Sequence, residues 1–249
     1  MADLPFSAMD LAHGWVLCNF LIYTVVFLVA LVLNFNFNTL LVGVIYLLPL
    51  IPLGLTAENM TRFLVVSCQN MIFGIIELVI FVVTVRAADI SFDRDYIKQL
   101  FGHVLPIAAA LIGLSYFARA STVPVGGWEL AGIGMLFFFG SIMRVFAVYQ
   151  LGPLAFKFDI VFREQQKLMT RKLYSLTRHP SYTAMMGVLL AYALNTHSWR
   201  AGVLGLVCAW FGFQYRIYHE EKALHSQFGD DYLKYKSRTA MWLPYPRWT

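Results

Sequence analysis

Apolar runs long enough to form membrane helices alternate with short polar segments along most of the chain. A helix needs about 20 predominantly apolar residues to cross a hydrocarbon core of about 30 Å. The pattern therefore predicts an all-α, polytopic bundle of about seven transmembrane spans, in which the fourth and sixth runs are short for a span. The runs lie at residues 15–33, 39–55, 63–85, 103–117, 128–151, 180–194 and 199–218.

Composition supports a membrane protein. Hydrophobic residues make up 59% of the chain and charged residues 13%, with a mean hydropathy of +0.64. An ordinary soluble domain carries about 25% charged residues, so these values argue against a soluble enzyme and exclude a disordered protein. The cysteines lie inside apolar runs, as small buried hydrophobes do, and we expect neither a disulfide framework nor a metal site.

The positions of the basic residues predict an orientation. With residues 151–180 on the cytoplasmic side, the opposite side holds only Arg62, Arg119 and Arg200 as basic residues. The amino terminus is then outside and the carboxyl terminus inside, in the endoplasmic reticulum or a bacterial inner membrane. The net charge of +5 is explained by this bias, and no nucleic-acid partner is expected. Alternating polarity at 91–102 predicts a short amphipathic helix on the membrane surface.

The segment Arg178-His179-Pro180-Ser181-Tyr182 begins the sixth run. Proline suits the first position of a helix, which leaves Arg178 and His179 just outside it, where the free N–H groups point. The amino-terminal end of a helix favours an anion, for example a ligand carboxylate. Tyr182 on the first turn places an aromatic ring at the same end of the helix. From charge alone, the pattern favours the simpler explanation that these basic residues merely flank a span.

A second polar cluster follows the last run. Arg216 and Glu220 are four residues apart and share a helix face, and Glu221 is adjacent. Ionisable groups at the end of a span are costly unless paired, which makes them functional candidates, although a surface ion-pair ladder fits the pattern as well. For the lone intramembrane charges Glu77 and Arg144 the pattern favours an interhelical contact.

Taken in order, these segments resemble the isoprenylcysteine carboxyl methyltransferase family of integral-membrane methyltransferases, which are also similar to phospholipid methyltransferases. The resemblance covers about residues 144–246 and leaves the first half of the chain without a counterpart. The sequence differs from the family pattern at two positions. Lys172 and Leu173 stand before Tyr174 where the family usually has a glycine, and Ala184 stands where the family often has another glycine. The matching residues are Arg144, Ala147, Leu151-Gly152, Phe156, Arg178-His179-Pro180-x-Tyr182, Glu220-Glu221-Lys222-x-Leu224, Phe228-Gly229, Tyr232, Tyr235 and Pro246.

The resemblance implies S-adenosylmethionine as the cofactor, bound by a carboxyl-terminal segment on the cytoplasmic face. A lipophilic substrate would enter from the surrounding membrane lipids. Residues 128–249 would form the methyltransferase core, and residues 1–127 would be transmembrane helices of unknown role. Arg216 and Glu220 would be catalytic, with Arg216 between cofactor and acceptor. The implied cofactor-binding residues are Leu173, Tyr174, Arg178, His179, Pro180, Tyr182, Glu220, Glu221 and Tyr232.

The identity of the acceptor depends on which polar group acts. A carboxylate is already ionised and needs a cation such as Arg216, whereas an amine or thiol needs a base such as Glu220 or His219. The residues leave both open. The resemblance favours an enzyme like a protein-S-isoprenylcysteine O-methyltransferase, acting on a prenylcysteine-like carboxylate. The alternatives are a phospholipid headgroup amine N-methyltransferase, and a membrane scaffold or sterol-reductase-like protein with a nicotinamide cofactor.

Overall fold

The computed structural model describes residues 7–84, 93–152 and 167–243, and this part of the chain contains helices but no β-strand. Each predicted apolar run coincides with a helix over most of its length, because helices satisfy their backbone hydrogen bonds internally. The helices are α1 (Ala8–Leu33), α2 (Phe37–Leu50), α3 (Met60–Thr84), α4 (Arg94–Gln99), α5 (Leu105–Ala120), α6 (Gly127–Leu151), α7 (Leu173–Leu176), α8 (Pro180–Asn195) and α9 (Trp199–Arg238).

Within the described residues, four helices are long and apolar enough to cross a membrane. They are α1, α3, α6 and the continuous helix Arg94–Ala120. The helices α2 and α8 are shorter, with 14 and 16 residues. Large apolar side chains cover the outside of the bundle, among them Trp128, Phe139 and Tyr149 of α6, as expected of a surface that faces lipid rather than water.

The amphipathic segment predicted at 91–102 is not a separate surface helix. From Arg94 it is helical, and the π-helical turn Leu100–Val104 joins α4 to α5 without a break. Tyr96 is buried, and its hydroxyl donates a 2.5 Å hydrogen bond to Asn38 Oδ1 of α2, which fixes the segment to the bundle. Residues 91 and 92 lie outside the described part of the chain.

Close helix contacts in the carboxyl-terminal half depend on small residues. A Cβ at Gly140 of α6 would lie 2.9 Å from the backbone oxygen of Ala184 in α8, so the two helices touch through their backbones. A Cβ at Gly212 of α9 would likewise lie 2.9 Å from the backbone oxygen of His103.

Two ion pairs join helices of the bundle. Arg144 of α6 donates to Glu77 of α3 from Nε at 2.8 Å and from Nη2 at 3.0 Å, and it also hydrogen-bonds Ser181 at the start of α8. This confirms the predicted interhelical contact. At the other end of the bundle, Arg62 of α3 forms a bidentate pair with Glu129 of α6, at 3.0 and 2.9 Å. Both pairs neutralise charge that a bilayer would not solvate.

Candidate functional site

The predicted start of α8 is confirmed. His179 precedes the helix, and Pro180 occupies its first turn. The backbone oxygen of His179 accepts hydrogen bonds from the N–H groups of Tyr182 and Thr183, at 3.1 and 3.0 Å. The His179 and Tyr182 rings stack with centroids 5.8 Å apart and planes inclined by 25°. The helix mouth is therefore lined by two nearly parallel aromatic rings.

Glu220 joins α8 to the end of the apolar part of α9. Its Oε1 accepts a 2.5 Å hydrogen bond from the Tyr182 hydroxyl and a 2.8 Å bond from Arg216 Nε, which confirms the predicted pairing four residues apart. His179 Nδ1 lies 3.7 Å from Oε2 of the same carboxylate. The carboxylate thus holds the Arg216 guanidinium and the Tyr182 ring in fixed orientations.

Glu221 shares His179 with Glu220 and is paired in addition with Arg178 and Lys236. Its Oε1 lies 2.8 Å from Arg178 Nη2 and 3.3 Å from His179 Nε2, and its Oε2 lies 2.7 Å from Lys236 Nζ. Burial raises the pKa of the Glu221 carboxyl, but the hydrogen bonds from His179 and Lys236 and the Arg178 charge outweigh it, and the pKa lies well below its usual value. Glu221 is therefore ionised at any ordinary pH.

The segment after α9 closes over the start of α8. Arg178 donates from its backbone N–H to Ala240 O at 2.8 Å and from Nη1 to Thr239 O at 2.5 Å. Thr177 and Thr183 donate from their hydroxyls to the backbone oxygens of Met241 and Trp242, at 2.7 and 2.9 Å. Thr177, Thr183 and Lys236 were not predicted as site residues from the sequence. The only feature that could have indicated them was their position close to the recognised motifs.

Gly229 explains the spacing of the tyrosines that follow it. Its backbone adopts φ 51° and ψ −127°, a conformation that favours glycine, and this bends α9 back towards α8. Tyr232 is consequently buried beside Glu221 without a well-formed hydrogen bond from its hydroxyl. Tyr235 donates a 2.6 Å bond to the backbone oxygen of Tyr174. Burial and the Glu221 charge raise the pKa of Tyr232, so its hydroxyl keeps its proton.

The turn before Tyr174 keeps a glycine-like shape although it lacks glycine. Lys172 adopts a φ of 58°, which is in the left-handed region. The backbone N–H of Leu173 then donates to Gln150 Oε1 at 3.1 Å, and the Tyr174 hydroxyl donates to Ala147 O at 3.3 Å. Leu173 and Tyr174 are thus fixed to α6. Phe156 and Pro246, which carried part of the resemblance, lie outside the described residues.

A cavity of about 110 Å³ lies on the bundle side of Arg216 and Tyr182. Apolar residues from α2, α3 and α5 form half of its wall, and Glu77 and Arg144 also line it. Arg216 therefore contacts Glu220 and also faces an apolar space among the membrane helices. His103 lines the same cavity. Sequence reasoning did not select His103, because no periodicity distinguishes a cavity-facing histidine at the end of a span.

Comparison with known proteins identifies relatives of the carboxyl-terminal half. Residues 132–226 match the model of the isoprenylcysteine carboxyl methyltransferase (ICMT) family. A probable protein-S-isoprenylcysteine O-methyltransferase from Oryza sativa subsp. indica is 29% identical over 124 residues, covering 47% of this chain and 63% of the rice protein. Protein-S-isoprenylcysteine O-methyltransferase from Rattus norvegicus is 28% identical over 122 residues, covering 47% of this chain and 42% of the rat protein. The match thus spans less than two thirds of either relative.

The fold extends this similarity to nearly the whole chain. A solved structure of the eukaryotic intramembrane Ras methyltransferase ICMT matches with a TM-score of 0.51 and 17% sequence identity. The match covers 94% of this chain and 97% of that one. The amino-terminal helices therefore share its fold, although their sequence gave no resemblance. The resemblance inferred from the sequence motifs is confirmed: this is an integral-membrane chain with an ICMT-like fold, whose residues 132–226 match the isoprenylcysteine carboxyl methyltransferase family.

Proposed function

We propose that the protein transfers a methyl group from S-adenosylmethionine to a lipophilic acceptor in the membrane, the carboxyl-terminal carboxylate of a prenylcysteine-like substrate. The position of Arg216 carries this proposal. Its guanidinium is buried, bonds Glu220 on one side and faces the apolar cavity on the other. A carboxylate on a prenyl chain needs a cation of this kind at the mouth of an apolar space. The names of the relatives support the same acceptor.

The residues around the helix mouth fit the cofactor. S-adenosylmethionine offers cationic groups, ribose hydroxyls and a flat purine, which carboxylates and aromatic rings complement. Glu220 supplies a carboxylate, and the stacked His179 and Tyr182 supply aromatic rings. The buried Tyr232 hydroxyl has a proton to donate. The other residues proposed to line this site are Leu173, Tyr174 and Pro180. When bound, the cofactor supplies an electrophilic methyl group on a sulfonium sulfur.

We assign Arg178 and Glu221 a supporting role in that site. Their mutual contacts, together with Lys236, occupy the Glu221 carboxylate. Arg178 also holds the backbone of Thr239 and Ala240. The pair would thus keep the carboxyl-terminal segment over the mouth of α8 and exclude water from it.

In this mechanism the chain orients the acceptor and excludes water, and it removes no proton. Arg216 draws the carboxylate out of water and orients it by a two-pronged hydrogen bond, while Glu220 fixes the guanidinium plane. The apolar wall from α2, α3 and α5 would contact the prenyl chain. An acceptor carboxylate is ionised at neutral pH, so no general base is needed.

We further propose the number of spans and the orientation in the membrane that the sequence predicts. This arrangement comprises about seven spans, with the amino terminus outside and the site and carboxyl terminus in the cytoplasm. The coincidence of the apolar runs with helices supports it. Residues 128–249 would carry the methyltransferase core, and residues 1–127 would complete the acceptor cavity, to which α2 and α3 contribute. Both the endoplasmic reticulum and a bacterial inner membrane accommodate this arrangement.

A phospholipid amine is the competing acceptor, and it would require a base. Glu220 accepts hydrogen bonds from Tyr182 and Arg216, which stabilise the carboxylate and make it a poor proton acceptor. The ring of His219, the other candidate base, packs 4.5 Å from the Tyr215 ring. Neither residue is arranged as a base towards the cavity, so the contacts favour the carboxylate.

An acceptor panel tests the proposal. Purified protein in phospholipid nanodiscs would receive S-adenosylmethionine labelled in its methyl group. The acceptors would be N-acetyl-S-farnesylcysteine, its carboxamide and phosphatidylethanolamine. We expect label only on the free carboxylate, released as methanol by mild base, because only that acceptor needs no proton transfer. Base-stable label on phosphatidylethanolamine would favour the N-methyltransferase, and absence of label from every acceptor would contradict a methyltransferase of either kind.

A further inference from the structure

His103 is held in the cavity wall by an unusual piece of backbone. It belongs to the π-helical turn Leu100–Val104, a wider turn of the kind that is common at functional sites. At this turn the chain touches α9, since a Cβ at Gly212 would lie 2.9 Å from the backbone oxygen of His103. His103 Nδ1 lies 3.1 Å from the backbone oxygen of Gly212. The ring is therefore attached to the helix that carries Arg216.

This contact determines which ring nitrogen carries the proton. A carbonyl oxygen only accepts hydrogen bonds, so Nδ1 of His103 must be the donor. In a neutral imidazole the other nitrogen, Nε2, is then an acceptor with a free lone pair. An apolar helix bundle favours the neutral ring over the charged one. His103 therefore brings a hydrogen-bond acceptor of fixed orientation into the bundle.

The neighbouring rings fix the plane of His103. Its ring centroid lies 6.3 Å from that of Tyr182, edge to face, and 6.5 Å from that of Phe213. Tyr182 and Arg216 line the same cavity as His103. A donor, Arg216, and an acceptor, His103, thus face one apolar space. The carboxylate that lines this cavity, Glu77, is engaged by Arg144.

We propose that His103 is a specificity-determining residue, whose Nε2 accepts a hydrogen bond from an N–H group of the methyl acceptor while Arg216 binds the carboxylate. The inference rests on the proposed function and defines its substrate class more narrowly. A carboxyl-terminal cysteine carries its amide N–H on the carbon next to the carboxylate, which suits recognition at two points. A carboxylic acid that carries a prenyl thioether, or a fatty acid, has the carboxylate but lacks this donor. The amino-terminal half of the chain thereby gains a role in acceptor choice.

The test compares two ligands that differ in one group. N-acetyl-S-farnesylcysteine carries the N–H donor, and S-farnesyl-3-mercaptopropionate lacks the acetamide but keeps the prenyl chain and carboxylate. Calorimetric titration of the wild-type protein should show about tenfold tighter binding of the cysteine derivative, the value of one well-formed hydrogen bond. His103→Phe should remove this preference by weakening the cysteine derivative alone. His103→Gln, which keeps an acceptor atom, should retain part of it.

The controls separate this inference from the proposed function. Phe101→Ala changes an exposed side chain in the same turn and should leave the preference intact. An equal loss of affinity for both ligands in His103→Phe and His103→Gln would show a purely structural role and overturn the inference. Methyl transfer to both acceptors, with a preference unaffected by His103→Phe, would also overturn it and leave the proposed function standing. A preference lost in His103→Phe, without any methyl transfer by the wild-type protein, would support the binding role of His103 and contradict the methyltransferase. Failure of both ligands to bind the wild-type protein would contradict both.

Discussion

Replacing Arg216 by alanine should lower kcat/KM for the prenylcysteine acceptor by about 10²–10³-fold, the usual cost of losing a charged donor that orients a reacting group. The affinity for S-adenosylhomocysteine should fall by less than about fivefold, because Glu220 keeps its hydrogen bond from Tyr182. Steady-state methyl transfer gives the first quantity and calorimetry the second. The separation of the two effects follows from the position of Arg216 between Glu220 and the cavity.

Two variants act as controls for Arg216. Arg216→Lys keeps the charge but loses the planar two-pronged geometry, so we expect an intermediate defect in kcat/KM. Arg200→Ala removes an arginine from the amino-terminal end of α9, where the guanidinium lies over Trp199, and should leave both quantities unchanged. Equal losses of turnover and cofactor affinity in Arg216→Ala would instead place Arg216 against the cofactor.

Replacing Glu77 by alanine should destabilise the folded protein by about 3–5 kcal/mol, because Arg144 would remain as a charge in the bundle without its carboxylate partner. Replacing both residues, with Glu77→Leu and Arg144→Met, should recover most of that loss, since two apolar side chains need no pairing. Unfolding of the purified protein in mixed micelles, followed by far-ultraviolet circular dichroism, measures both. The pair joins α3 to α6 through two hydrogen bonds of 2.8 and 3.0 Å.

An exposed ion pair provides the matched control for Glu77. Lys98 Nζ lies 2.7 Å from Asp95 Oδ1, and both side chains are more than half exposed. Lys98→Ala should change the free energy of unfolding by less than about 0.5 kcal/mol, since water replaces the lost partner. If Glu77→Ala were as stable as Lys98→Ala, the Glu77–Arg144 pair would not be buried in the membrane bundle.

Local sequence patterns predicted those features that depend on neighbours along the chain. The proline in the first turn of α8 and the bond between Arg216 and Glu220 follow from helix geometry, and the structure confirms both. The Glu77–Arg144 contact required only that charges inside a bilayer be paired. The tyrosines after Gly229 were recognised by resemblance, and the positive φ of that glycine supplies the physical reason for their spacing.

Features that join distant parts of the chain could not be predicted from the sequence. Glu220 and Glu221 are adjacent residues of one helix. Their partners differ, and which partners each of them has depends on where α8 and the segment after α9 lie. The position of His103 depends on a contact with Gly212, which is 109 residues away in sequence. The amphipathic segment was interpreted as a surface helix because alternating polarity does not distinguish a membrane surface from the side of a bundle.

Calorimetric titration of detergent-purified protein with S-adenosylhomocysteine tests the central claim most directly, with Glu220→Ala beside the wild-type protein. We predict binding by the wild type and a loss of affinity of at least about tenfold in Glu220→Ala, because the carboxylate would no longer bind the polar groups of the ligand. Asp231→Ala, in which an exposed carboxylate of the same helix is removed, should bind as the wild type does. Failure of the folded wild-type protein to bind S-adenosylhomocysteine would contradict the account, and binding of a nicotinamide dinucleotide in its place would favour a reductase.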